Sequence, residues 1–136
     1  MGELCSGSHC VYKLQYHVIL VCKYRKKLLV NKNVIDDMWR LSIEFFHKHG
    51  IVCHAIGTDK DHIHYVIELK PTTNISNEIR SLKTYTTFHI WKLYENYLSM
   101  NFWKEHTFWT DSYYVATIGQ VSGEVVLEYV LSQGRK

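Results

Sequence analysis

The chain has one proline and seven glycines in 136 residues, too few for a linker-rich, collagen-like or low-complexity protein. No stretch approaches the roughly 20 continuous apolar residues that a membrane span requires. The start lacks the basic-then-apolar pattern of a secretory signal, so a soluble cytoplasmic protein is expected. Four cysteines, at positions 5, 10, 22 and 53, include no C-x-x-C pair. That spacing favours reduced thiols over a disulfide framework or a zinc knuckle. A large excess of one charge is also missing. Sixteen Lys and Arg against 13 Asp and Glu leave +3, which permits an anionic partner without demanding one. No repeat or shift of composition marks a boundary. Residues 11–136 are expected to form one domain, with the small, polar segment 1–10 poorly ordered.

What is present is a core and many rings. Apolar residues make up 46% of the chain, and there are ten Tyr, five Phe and four Trp. This is enough to build a hydrophobic core without staples. Val11 to Cys22 is rich in β-branched and aromatic residues and reads as a strand. The cations of Lys23-Tyr24-Arg25-Lys26-Lys27 follow it, as a solvated loop or as a phosphate-contacting turn. Asn33 is expected to cap a helix running to about His49, on the stripe Val34, Met38, Leu41, Phe45, with Gly50 as the stop. Ile51–Thr58 and His62–Leu69 read as a hairpin around Asp59-Lys60-Asp61. Pro71-Thr72-Thr73-Asn74 signals the start of a long helix to about Leu98, striped by Ile75, Ile79, Leu82, Thr86, Ile90, Leu93 and Tyr97. Arg80, Lys83, Thr84 and Thr87 share an adjoining face, suited either to solvent or to a phosphate backbone. An aromatic connection over 99–111 leads to a strand at Ser112–Ile118 and a last helix from Ser122 towards Gln133. The order β-α-β-β-α-β plus a terminal helix predicts an α+β, ferredoxin-like (RRM-like) fold, with a four-stranded antiparallel sheet and helices on one face.

The chemistry gathers on the third of these strands. Side chains alternate across a strand, so His62 and His64 share one face and Ile63, Tyr65 and Ile67 the other. A face packed on helices favours apolar groups, which turns the histidines away from them. On the last helix, Tyr129 and Gln133 lie four residues apart and share a face. A glutamine carbonyl can ligate a metal and a phenol can act as a nucleophile. Two imidazoles and an amide oxygen would suit Mg²⁺ or Mn²⁺ bound together with phosphate. By spacing alone, Tyr129 as a core residue and Gln133 as a surface residue is the favoured reading.

Four segments in order resemble one family. Asp61-His62-Ile63-His64 has the form of an HUH signature, two histidines around a hydrophobic residue. Tyr16-His17-Val18-Ile19-Leu20-Val21-Cys22-Lys23-Tyr24-Arg25 is similar to that family's first strand and basic turn, although Cys22 stands where many relatives carry proline. Ser112 to Gly119 resembles its fourth strand, and Glu128-Tyr129-Val130-Leu131-Ser132-Gln133 its Tyr-x-x-x-Gln helix. The family is that of the single-tyrosine HUH transposases of small bacterial and archaeal insertion sequences, with the REP-associated tyrosine transposases as relatives.

The resemblance implies a DNA transposase that cuts and rejoins single-stranded DNA at element ends beside hairpins. Tyr129 would attack the phosphate, giving a 5′-phosphotyrosine and a free 3′-OH. His62, His64 and Gln133 would hold a divalent metal, Mg or Mn. It further implies a homodimer, with active sites that the two subunits can share. Charge and stacking mark Lys23, Tyr24, Arg25, Lys26, Arg80 and Lys83 for DNA contact. The rival reading is a non-catalytic single-stranded nucleic-acid binder on the same fold, which needs neither the metal nor Tyr129.

Overall fold

The computed structural model describes residues 5–6, 11–12 and 14–118. The predicted last helix, with Tyr129 and Gln133, lies outside the described residues. Short strands β1 (Cys5–Ser6) and β2 (Val11–Tyr12) pair with each other. The main sheet is built from β3 (Leu14–Val21), β4 (Val52–Asp59), β5 (His62–Leu69) and β6 (Tyr114–Thr117), all antiparallel, in the order β4-β5-β3-β6. The first and third strands of the predicted βαββαβ order therefore hold the centre. Helices α1 (Lys32–Lys48), α2 (Ile75–Leu93) and α3 (Glu95–Asn101) complete the domain.

Two asparagines start the long helices. The Asn31 side chain accepts the Asn33 N–H, and that of Asn74 accepts the Asn77 N–H. The cap of α1 is thus Asn31, two residues before the predicted Asn33, because its side chain reaches the free amides of the first turn. Gly50, at φ 65°, ends α1 in the left-handed conformation that glycine adopts without strain.

The helices cover one face of the sheet. Val18 and Leu20 of β3 and Ile63, Tyr65 and Ile67 of β5 are buried with Met38, Leu41 and Phe45 of α1 and Ile79, Leu82 and Ile90 of α2. Burying one such aliphatic or aromatic side chain stabilises the fold by about 1.5–3 kcal/mol. Tyr65 keeps its hydroxyl satisfied by Ser42 Oγ at 2.8 Å. These contacts also fix the register, since a slip of one residue would send His62 and His64 into the helix layer.

The second predicted helix is interrupted. Tyr94 leaves helical geometry at φ −132° and ψ 40°, ending α2 and opening α3. Its hydroxyl donates to Asp37 of α1. The break turns Leu98 and Phe102 into the core and leaves Leu93 about half exposed, while Trp91 is buried in its place. The uninterrupted stripe to Tyr97 is therefore corrected: the apolar pattern continues along α3 on a new axis. Among the described residues, no helix is long and apolar enough to cross a membrane.

Candidate active site

On the face away from the helices, the register sets Val21 against His62, Ile19 against His64, His17 against Val66 and Gln15 against Glu68. On the other side of β5, Gly57 stands opposite His64 and Asp59 opposite His62. His62 and His64 therefore share this face, with ring centroids 6.4 Å apart. His17 lies beside them, 5.6 Å from His64.

Each histidine is held differently. Asp61 Oδ1 lies 3.0 Å from His62 Nδ1. Its other oxygen accepts from Arg25 Nε at 2.9 Å and pairs with the second guanidinium nitrogen at 2.8 Å. Burial works to raise the Asp61 carboxyl, but the hydrogen bonds from His62 and Arg25 outweigh it and hold the group below its ordinary value. An ionised Asp61 accepts the His62 Nδ1 proton, which leaves Nε2 with the lone pair. His64 is shifted down, first by burial and then by the charges of His17 and His62. That favours the neutral ring, the form that ligates a metal. The edge of His64 rests on Gly57: a Cβ there would fall 2.2 Å from Nε2 and 2.5 Å from Cε1. Any larger residue at this position would push the imidazole out of its place.

Arg25 is delivered by a strained turn, the short 3₁₀ segment Lys23–Arg25. Tyr24 and Arg25 both carry positive φ, 60° and 53°, a conformation costing about 1–3 kcal/mol for each non-glycine residue. Backbone bonds pin the turn to the histidine end of the sheet. The Cys22 N–H donates to Asp61 O at 2.8 Å, Lys23 N–H to Phe108 O at 2.8 Å and Leu29 N–H to Lys60 O at 3.0 Å.

The residues marked for DNA contact fall in two places. Lys23, Tyr24, Arg25 and Lys26 form this turn. Lys23 lies 3.6 Å from Asp111, Tyr24 donates to Glu105 at 2.9 Å, and the Lys26 ammonium stands 5.7 Å from the Phe102 ring centre. The guanidinium of Arg25 is taken up by Asp61. Arg80 and Lys83 are on α2 and border a cavity with Ser76, Thr84 and Tyr113. Lys83 donates to the carbonyls of Thr110 and Asp111 at 2.6 and 2.9 Å.

Among the described residues, His62 and His64 are imidazoles that could serve a divalent cation, one oriented by a carboxylate and the other biased neutral and seated on glycine. Among the described residues, no group of three or more His, Cys, Asp and Glu is arranged to hold a metal. The third donor named from the sequence, Gln133, lies outside them, as does Tyr129.

The pattern of the family described as "Transposase IS200 like" matches residues 10–133. This chain belongs to the IS200-like transposase family. The ISDra2 transposase TnpA of Deinococcus radiodurans is 25% identical over 134 residues, covering 98% of this chain and 94% of its own length. The transposase of insertion sequence element IS200 from Salmonella typhimurium is 24% identical over 128 residues, covering 92% and 80%. A crystal structure of a transposase from Deinococcus radiodurans superposes with a TM-score of 0.82 at 25% identity, over 95% of this chain and 97% of that one. A REP-associated tyrosine transposase, solved bound to a REP hairpin, shares the fold with a TM-score of 0.56 at 12% identity, over 92% and 68%.

Sequence reasoning for this transposase found His62 and His64 but missed three neighbours. Gly57 is a glycine inside a strand, the usual mark of a close approach, and its register opposite His64 becomes visible only once β4 and β5 are paired. His17 and Gln15 alternate with Tyr16 and Val18, so their parity assigns them to the chemical face. The role of Arg25 had no sequence signal, because a basic run hides which cation is already spoken for.

Proposed function

We propose that the transposase cuts and rejoins single-stranded DNA at the ends of its element, beside a hairpin, through a covalent tyrosine intermediate. The observation that carries this is the His62–His64 pair on the chemical face, one ring fixed by Asp61 and Arg25 and the other seated on Gly57. A binding module has no need of such constraints.

In this reading, His62, His64 and Gln133 hold a divalent metal, Mg²⁺ or Mn²⁺. Bound there, it supplies Lewis-acid polarisation of the scissile phosphate and neutralises charge on its oxygens. Tyr129 is the nucleophile. Its phenolic oxygen forms a bond to phosphorus, the bond to the 3′ oxygen breaks, and that oxygen leaves with a proton as a free 3′-OH. The 5′ phosphate remains on the tyrosine. A second 3′-OH then attacks this phosphate and releases the tyrosine, so the number of phosphodiester bonds is conserved and no external energy source enters. A phenol titrates near pH 10 and is a weak nucleophile unless assisted, yet phenolate leaves more readily than an alkoxide, which keeps the second step open. With one nucleophile per chain and two strand ends to join, the working unit is a homodimer, with sites that the two subunits can share. In this reading, Lys23, Tyr24 and Lys26 meet the strand. Arg25 acts chiefly through Asp61.

The test incubates the protein with single-stranded hairpin DNA carrying the native element ends and Mn²⁺ or Mg²⁺. A covalent protein–DNA adduct is expected from the wild-type chain and none from Tyr129→Phe. An adduct that survives this change, or none with any such substrate, overturns the reading.

A further inference from the structure

A channel runs along α2 on the helix side of the molecule. Its larger part, about 710 Å³, lies between α2 and the connection that returns to β6. A second cavity of about 300 Å³ shares Lys83, Thr84 and Asp111 with it and extends past Arg80 to Tyr113, beside the edge strand β6. The helix contributes Lys83, Thr87 and Trp91, spaced by four, and Thr84, Phe88 and Lys92 in the adjoining row, and Glu95 at the start of α3 closes the end. One face of three helical turns therefore forms a wall.

Three features of this wall point to the same ligand. First, rings stand ready for stacking. His106 lies flat on buried Trp91, with centroids 4.2 Å apart and planes within 7°, and its own outer side is exposed. The Trp91 Nε1–H donates to Thr107 O at 3.0 Å, which fixes this pair. Second, large rings are left in water. Phe88 is 55% exposed, and Trp103, next in the chain to the Phe102 ring that stands 6.5 Å from Trp91, is 81% exposed. Third, cations accompany the rings. Lys92 is 4.4 Å from the Phe88 centroid and Lys104 4.8 Å from that of Trp103. Thr84 and Thr87 add hydroxyl-bearing side chains to the same lining. Rings for bases, with cations and hydroxyls for the backbone, are the chemistry of a single nucleic-acid strand. Paired bases offer no free face to such rings.

We propose that this channel seats unpaired nucleotides of the strand the transposase acts on, a reading that rests on the proposed function. His106 continues the Trp91 stack onto a base, and Phe88 and Trp103 take neighbouring bases. Arg80, Lys92 and Lys104 meet phosphates. Lys83, already bound to the Thr110 and Asp111 carbonyls, holds the channel wall in shape. The Thr110 N–H in turn donates to Val21 O at 2.8 Å, and Val21 pairs with His62, so the channel and the histidine site share one rigid connection.

The test measures binding of fluorescein-labelled oligothymidylate by anisotropy at fixed salt, in the Tyr129→Phe background without divalent metal, where no cleavage intervenes. The double variant Phe88→Ala/His106→Ala is expected to bind the strand about tenfold or more weakly, at an unchanged melting temperature. Phe88→Tyr, which keeps the ring, is expected to retain affinity. The adenine-paired duplex should bind more weakly than the strand, and thymidine monophosphate should compete only at far higher concentration. The proposal is overturned if the double variant binds like its parent, if the duplex or the mononucleotide binds as well as the strand, or if the strand does not bind at all. Because the adduct assay is run separately, an intact adduct with unaltered strand affinity in the double variant rejects the channel and leaves the proposed chemistry standing.

Discussion

Gly57 and Cys22 show how single residues set the limits of this site. At Gly57, one methyl group would overlap the His64 ring. Gly57→Ala is expected to leave the fold intact by circular dichroism and to weaken Mn²⁺ binding by about 10- to 100-fold, the range seen when the support of a metal ligand is removed. Titration calorimetry reads this directly. Cys22 is fully buried, and burial pushes its thiol up to about 12 from an ordinary 9.0. The unfolded chain therefore ionises this thiol first. Between about pH 9 and 12 the folded state binds the extra proton, so stability falls as pH rises, by up to about 1.4 kcal/mol per unit. Urea unfolding at pH 8 and pH 10 should show this loss in the wild-type chain and a smaller one in Cys22→Ala. Neither effect could be read from the linear chain, where Gly57 is one of seven glycines and Cys22 sits at the end of an apolar run.

Among the elements, α2 is tied by a buried side chain to the connection that leads into β6. Thr86 interrupts its apolar stripe in the sequence, yet it is completely buried. Its hydroxyl donates to Leu82 O at 2.8 Å and accepts from Trp109 Nε1 at 3.0 Å. This bond ties the helix to the connection before β6. Thr86→Val keeps the shape but strands the indole N–H, and is expected to cost about 1–3 kcal/mol, measured by urea denaturation. Element identity was legible because hydrophobic period is a local property. The run His62–Leu69 is a strand with the predicted limits, and α1 and α2 start at asparagine caps. The break at Tyr94 was not legible, since the apolar spacing runs through it and the contact of its hydroxyl with Asp37 on another helix is tertiary.

On the scale of the molecule, the sheet divides labour between its faces. One carries the core, and the other carries His17, His62 and His64. That division followed from strand parity alone, and the sheet order from the βαββαβ pattern. Cross-strand partners did not follow, because pairing depends on register between distant segments. If the imidazole pair holds a divalent ion, the ion binds the native state and not the unfolded one. Mn²⁺ at 100 times its dissociation constant is then expected to stabilise the fold by about 2.7 kcal/mol, visible as a higher melting temperature. His62→Ala should abolish that shift, and Asp61→Asn should move it to about tenfold or more higher metal concentration.

The turn at Tyr24 and Arg25 carries a further consequence, for anyone who would engineer this protein. Two successive residues hold a left-handed backbone that glycine would accept at less cost. A library screened only for heat resistance would be drawn towards glycine at both positions. Each such winner would give up the Tyr24 ring or the guanidinium that steadies Asp61. Selection for durability and selection for cutting would pull this turn in opposite directions, so a screen meant to harden the enzyme has to score strand cleavage in the same round.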